Sequence, residues 1–193
     1  IATALAPARG TRRHCFGAYE AADYDELIDC PVEMGDFQLG DFSVLNTRHE
    51  IAITGRVPKL DMSRLTADFA QLCETQVKMF EPRSHSAPFD RYTFLTTARG
   101  DAYSGLEHRS STALVTKREG LPFLGMTEST EAYRNFLGLA SREYFHSWNV
   151  KRIKPAAFVP YDLSRENHTR LLWAFEGFTS YYDDLLLTRA DLL

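Results

Sequence analysis

Apolar residues in this chain recur at two different periods, and the change of period divides it into strands and helices. Between residues 61 and 80, Leu65, Phe69, Leu72 and Val77 return every three to five positions, which predicts an amphipathic helix. Asp61 or Ser63 can cap its start, and Pro82 follows its end. From 130 to 149 the stripe is Tyr133, Leu137, Ala140 and Tyr144. Phe136, Leu139, Phe145 and Trp148 carry apolar surface round most of the remaining circumference, so this helix is expected to be buried. A third stripe, Leu172, Phe175, Thr179, Tyr182 and Leu186, predicts a long helix capped by Ser164 or Asn167 and running to Leu187. Alternation replaces the helical period elsewhere. Ile51 and Ile53 share one face of a strand over 49–54, and Tyr92, Phe94 and Thr96 share one face over 88–98. Short runs at 27–32 and 41–45, and one strand over 106–115, complete the pattern. The prediction is an α+β fold: a mixed β-sheet from about residue 27 to 115 packed on two buried helices.

Composition narrows this only a little. The chain has 193 residues, 44% hydrophobic and 25% charged, the balance of a folded domain rather than a disordered one. A net charge of -4 gives no electrostatic reason to expect nucleic acid or an anionic membrane surface, and no apolar run approaches the ~20 residues of a spanning helix. Lys151, Arg152 and Lys154 read as surface cations complementing a helix C-terminus. Arg12, Arg13 and His14 read as a solvated turn. Cys15, Cys30 and Cys73 are widely spaced and unpaired in pattern, so reduced thiols are expected. Residues 1–22 show no clear period and are read as a tail or the end of a preceding β-rich domain, with 23–193 as one domain that continues beyond its C-terminus. With no signal or transmembrane segment in view, a cytoplasmic and a periplasmic setting are equally open.

The chemistry concentrates in the buried helix. Arg142, Glu143 and His146 are polar groups on an otherwise apolar element, and such groups must be paired or liganded, because leaving them bare costs several kcal/mol. Arg142-Glu143-Tyr144-Phe145-His146 matches the zinc-peptidase pattern H-E-x-x-H at all but its first position. In that pattern, residues four apart on a helix aim two imidazoles at one metal. Downstream, Glu176 lies in the apolar stretch Trp173-Ala174-Phe175-Glu176-Gly177-Phe178, where it could serve as a further ligand or pair with Arg142. A zinc site, a broken zinc site and a coincidence are all compatible with the helix alone.

Four segments reduce those choices. They are Cys30-Pro31-Val32-Glu33-Met34-Gly35, Gly105-Leu106-Glu107-His108-Arg109-Ser110-Ser111-Thr112, the run from Glu143 through Trp148-Asn149 to Pro155, and Leu171 through Glu176-Gly177 to Tyr182. In this order they resemble the catalytic domain of the glycyl aminopeptidases, zinc metallopeptidases with a thermolysin-like zincin fold. The resemblance implies His146 and Glu176 as zinc ligands and Glu143 as general base toward a metal-bound water. It also implies Glu107, with Gly105, Leu106 and His108 around it, as the edge-strand group that captures the free N-terminus of a peptide substrate. The implied activity is release of small N-terminal residues such as Gly or Ala. Arg142 departs from the family, which has histidine there. Arginine has no lone pair to donate and keeps its charge, so it is not a ligand. By ion-pairing Glu143 and Glu176 it can take the metal's place. The resemblance therefore implies zinc, while Arg142 leads us to expect that this chain holds zinc weakly or not at all. His108 and His168 are the remaining imidazoles that could substitute as ligand.

Overall fold

The computed structural model describes all residues, Ile1–Leu193. Its centre is a five-stranded mixed sheet built from β5 (Phe37–Val44), β6 (Thr47–Thr54), β7 (Arg91–Arg99), β9 (Ser111–Lys117) and β8 (Ser104–Glu107), in that spatial order. The pairs β5–β6 and β8–β9 are antiparallel, whereas β6–β7 and β7–β9 are parallel. A parallel step needs a crossover, and α2 (Met62–Phe80) supplies it between β6 and β7. Before the sheet come short strands β1 (Ala2–Thr3), β2 (Ala6–Pro7), β3 (Tyr19–Glu20), β4 (Val32–Glu33) and the small helix α1 (Tyr24–Ile28). After it come α3 (Glu131–Phe145) and α4 (Phe178–Arg189), the latter entered through a π-helical turn at Trp173–Gly177.

The expected alternation places Ile51, Ile53, Tyr92 and Phe94 on the sheet face that receives α2 and α3. There they meet Leu65, Phe69, Leu72, Tyr133, Phe136 and Tyr144 in one buried cluster. Ala52 and Leu95 point to the opposite face and pack with Ala2 from β1. Both faces of the central strands are thus covered, as parallel pairing requires. Asp61 caps α2 by accepting from the Arg64 N–H, as its position suggested, and Thr130 does the same for α3 from Tyr133.

Five expectations are corrected. The predicted strand at 27–32 is instead the end of α1, a turn and the two-residue β4. The single strand at 106–115 is a hairpin broken at 108–110, because Leu106 pairs back on Ala113. The last helix does not begin at Ser164 or Asn167; residues 159–171 are irregular, and the helical turns start near Trp173. That helix is also not a second buried one. Trp173, Phe178 and Tyr181 are 66%, 51% and 64% exposed, so only its Phe175, Thr179, Leu186 and Leu187 side faces the core. Finally, Arg13 is not in a solvated turn. Its guanidinium reaches the carboxylate of buried Glu50 at 2.7 Å and the carbonyls of Thr3 and Leu5, and Arg91 pairs with Glu50 from β7. The first twenty residues are thereby clamped to β6 by a charge pair that no sequence period reveals.

No helix is long and apolar enough to cross a membrane.

Candidate active site

The helix α3 is held from three sides. Gln76 of α2 donates its amide to the Ser141 carbonyl and hydroxyl, and the Ser141 hydroxyl donates to the Asp183 carbonyl of α4. Tyr144, buried among Tyr92, Phe89 and Trp148, gives its hydroxyl to His49 Nε2 at 3.0 Å. These contacts fix the rotation of α3, and so fix where residues 142, 143 and 146 point.

Glu143 points at the edge strand. Gly105 of β8 lies so close that a Cβ there would stand 2.4 Å from Glu143 Oε1 and 2.7 Å from its Cδ. Only the absence of a side chain at 105 lets the strand lie against the carboxylate. Two residues on, Glu107 brings a second carboxylate to the same place. Donor atoms of Glu107, Glu143 and His146 all lie within 4.8 Å of one another. His146 stands just past the end of α3, still in helical conformation, with its N–H bonded to the Arg142 carbonyl. Its Nδ1 donates to the Asn149 carbonyl at 2.9 Å, which leaves the Nε2 lone pair aimed into the site, buried and without a partner. Asn149 in turn donates its side-chain amide to Thr179 at 3.2 Å and more distantly to the carbonyls of Ala174 and Phe175. That clamp holds the π-helical turn against the end of α3. The turn carries Glu176, whose Oε2 sits 3.9 Å from His146 Nε2. A π-turn is a rare local form that often marks a functional position.

The fourth member is Arg142. Its guanidinium donates to Glu143 Oε1 at 2.8 Å and, through its other terminal nitrogen, to Glu176 Oε2. Burial works against the Arg142 charge, but Glu143 and Glu176 outweigh it and hold its pKa above the usual value. Burial pushes Glu143 up to about 7 although Arg142 opposes the shift, with Glu107 adding to it. Of this pair the guanidinium charge is the fixed quantity, since arginine does not deprotonate. Glu143 is the member whose charge is in balance near neutrality.

The site residues expected from the sequence are mostly brought together: Gly105, Glu107, Arg142, Glu143, His146 and Glu176 converge. Leu106 is half exposed beside them. His108 is turned away; its Nδ1 faces Asp29 at 3.4 Å, and it is outside the convergent group. His168 lines a separate surface hollow with Arg165 and Glu166. Neither histidine replaces the missing ligand. Sequence reasoning missed Asp29, which accepts from Arg109 at 2.9 Å, lies 3.4 Å from Lys151, and ties α1 to the β8–β9 turn. Burial opposes its ionisation, but His108, the Arg109 N–H and Lys151 hold its pKa well below the carboxylate range. Its place immediately before Cys30-Pro31 was the available signal.

Comparison with known proteins follows from this geometry. Residues 135–193 match the M61 glycyl aminopeptidase family, and residues 1–36 match the Peptidase M61 N-terminal domain. A crystal structure of an aminopeptidase N family protein from Idiomarina loihiensis superposes with a TM-score of 0.94 at 44% identity, over 100% of this chain. The chain belongs to the M61 glycyl aminopeptidase family. It spans 32% of the length of the Idiomarina protein, and no curated protein matches it. As an M61 chain it would be expected to hold a divalent metal. His146 Nε2, buried without a hydrogen-bond partner, and nearby Glu176 suit that role. The position that should give the third ligand gives instead a cation bonded to two of the carboxylates. The donor set as it stands does not fit the family's zinc.

Proposed function

We propose that this chain is the peptide-binding core of an M61 peptidase in which an arginine bridge stands in for the metal, so that it binds peptide N-termini without hydrolysing them. One observation carries the reading: the Arg142 guanidinium joins Glu143 to Glu176, the residues that the resemblance makes general base and metal ligand. A guanidinium satisfies two carboxylates with charge-assisted hydrogen bonds, though with one positive charge where a dication would bring two. It offers no coordination position and activates no water. The thermolysin-like zincin architecture is retained in this reading as ancestry. Glu107 keeps the task implied for it: a carboxylate at a sheet edge, placed to receive an α-ammonium while the strand bonds the peptide main chain. Calorimetric titration with zinc tests the proposal. The chain should take up no stoichiometric zinc at micromolar concentration, whereas Arg142→His should bind one equivalent. Stoichiometric zinc in the unaltered chain would falsify it.

A second reading, a hydrolytic aminopeptidase core acting after small residues such as Gly or Ala, is favoured by a different observation. His146 Nε2 and Glu143 Oε2 are buried with no partner, and Glu107 completes a donor cluster with them. This reading requires zinc-dependent release of Gly or Ala from peptides by a protein that keeps Arg142; no release in excess zinc excludes it.

A further inference from the structure

Beside the site lies a cavity of about 330 Å³, at the small end of the range for small-molecule sites. Its charges sort into those that are already paired and those that are not. Asp29 is bonded to Arg109 and faces Lys151, so one carboxylate serves two cations and the trio keeps one surplus positive charge. Glu107 and Lys154 both line the cavity and form no ion pair within the chain, and Asp25, exposed, is a further lining carboxylate without one. Tyr161 lines it too. The Lys154 ammonium is 5.4 Å from the centre of its ring. Burial and then the Glu107 and Asp29 carboxylates push the Tyr161 phenol up. Burial and the neighbouring Arg109 and Lys151 hold the Lys154 pKa below its usual value, the signature of a cation short of counter-charge.

A cavity lined by unpaired carboxylates, an unpaired ammonium and an aromatic ring is complementary to a small zwitterion. We propose that it binds short peptides end to end, with the α-ammonium on Glu107, the C-terminal carboxylate on Lys154 and the main chain across Tyr161. The ligand class is a dipeptide or tripeptide with both termini free. This inference rests on the reading that Glu107 takes the peptide amine, and adds what the other end of the peptide meets.

Calorimetric titration of the protein with Gly-Ala, Gly-Ala amide, N-acetyl-Gly-Ala and Asp-Ala amide separates the two ideas. Amidation of Gly-Ala should weaken binding at least tenfold, and Lys154→Met should remove the difference by weakening the free acid alone. Amide and free acid binding equally would overturn the inference and leave the amine reading standing. Asp-Ala amide binding as well as Gly-Ala also overturns it, by showing that Lys154 takes a side-chain carboxylate instead. If N-acetyl-Gly-Ala binds as well as Gly-Ala, or if no peptide binds, the amine reading fails and this inference fails with it.

Discussion

Arg142 changes more than one bond. A histidine at this position would leave Glu143 and Glu176 facing each other with no cation between them, and a dication is then the natural partner for both. With arginine, the two carboxylates are already satisfied on that side, while Glu143 Oε2 and His146 Nε2 stay bare. The spacing of the neighbouring glycine is as strict. Because a Cβ at 105 would fall 2.4 Å from Glu143 Oε1, Gly105→Ala must displace either the edge strand or the carboxylate. Overpacking of this kind costs about 1–3 kcal/mol, to be read as a lower urea midpoint with peptide affinity falling alongside it. A midpoint and affinity both unchanged would show that the strand is not held against Glu143. Glu107 and Glu176 were legible as candidates from the sequence. A bridge from Arg142 to Glu143 and Glu176 was legible as one arrangement; that it is the one formed was not, because a guanidinium can reach either carboxylate, both or neither.

At the scale of elements, the site is assembled by joints between secondary structures. The β8–β9 hairpin delivers Gly105 and Glu107, α3 delivers Arg142 and Glu143, and the π-helical turn before α4 delivers Glu176. Asn149 is the joint between the last two, its side chain bonded to Thr179 and near the Ala174 and Phe175 carbonyls, its own carbonyl accepting from His146. Asn149→Ala leaves these groups short of a donor, a loss of about 1–3 kcal/mol by the usual cost of unsatisfied buried groups. In an Arg142→His background the same change should also weaken zinc binding, because it frees the turn that places Glu176. Zinc affinity identical with and without Asn149 would show that the turn is positioned by its packing alone. The helical stripes of α2 and α3 were plain in the sequence because their periodicity survives any tertiary arrangement. The late start of the last helix was not, since Ser164 and Asn167 are sound caps locally and only the long-range contacts of Asn149 and Thr179 select Trp173–Gly177 as the first turns.

The whole molecule depends on two buried polar residues adjacent in β6. His49 is fully buried, stacked on Phe42, with Nδ1 donating to the Thr47 carbonyl and Nε2 accepting from Tyr144. Burial, partly offset by the Thr47 carbonyl, pushes its pKa down from 6.5 to about 4. The unfolded chain therefore takes up the proton first. The stability contributed by His49 is complete above about pH 6.5 and is lost as pH falls toward 4, about 3 kcal/mol in all. Glu50 acts lower on the scale. Burial raises its pKa, but Arg13 and Arg91 outweigh that and hold it below the usual 4.5, so its contribution is present above that value and is lost on further acidification. Glu143 and Asp183, with pKa values raised to about 7 and about 6, act in the opposite sense over the same window, so the test is a comparison: between pH 8 and 4 the urea midpoint of the unaltered protein should drop relative to that of His49→Gln, whose pH slope lacks the histidine contribution. An unchanged slope would place the titration elsewhere. The sequence by itself determined α2 and α3, the strand faces and the family, and supplied candidate residues for the chemistry, because hydrophobic period and motif spacing are local properties. Only the tertiary structure decided that Arg13 clamps the N-terminal segment to Glu50, that His108 turns to Asp29, and that Arg142 closes on Glu143 and Glu176. Those are choices among competing charge partners far apart in the chain, and burial and geometry, not spacing, settle which partner wins.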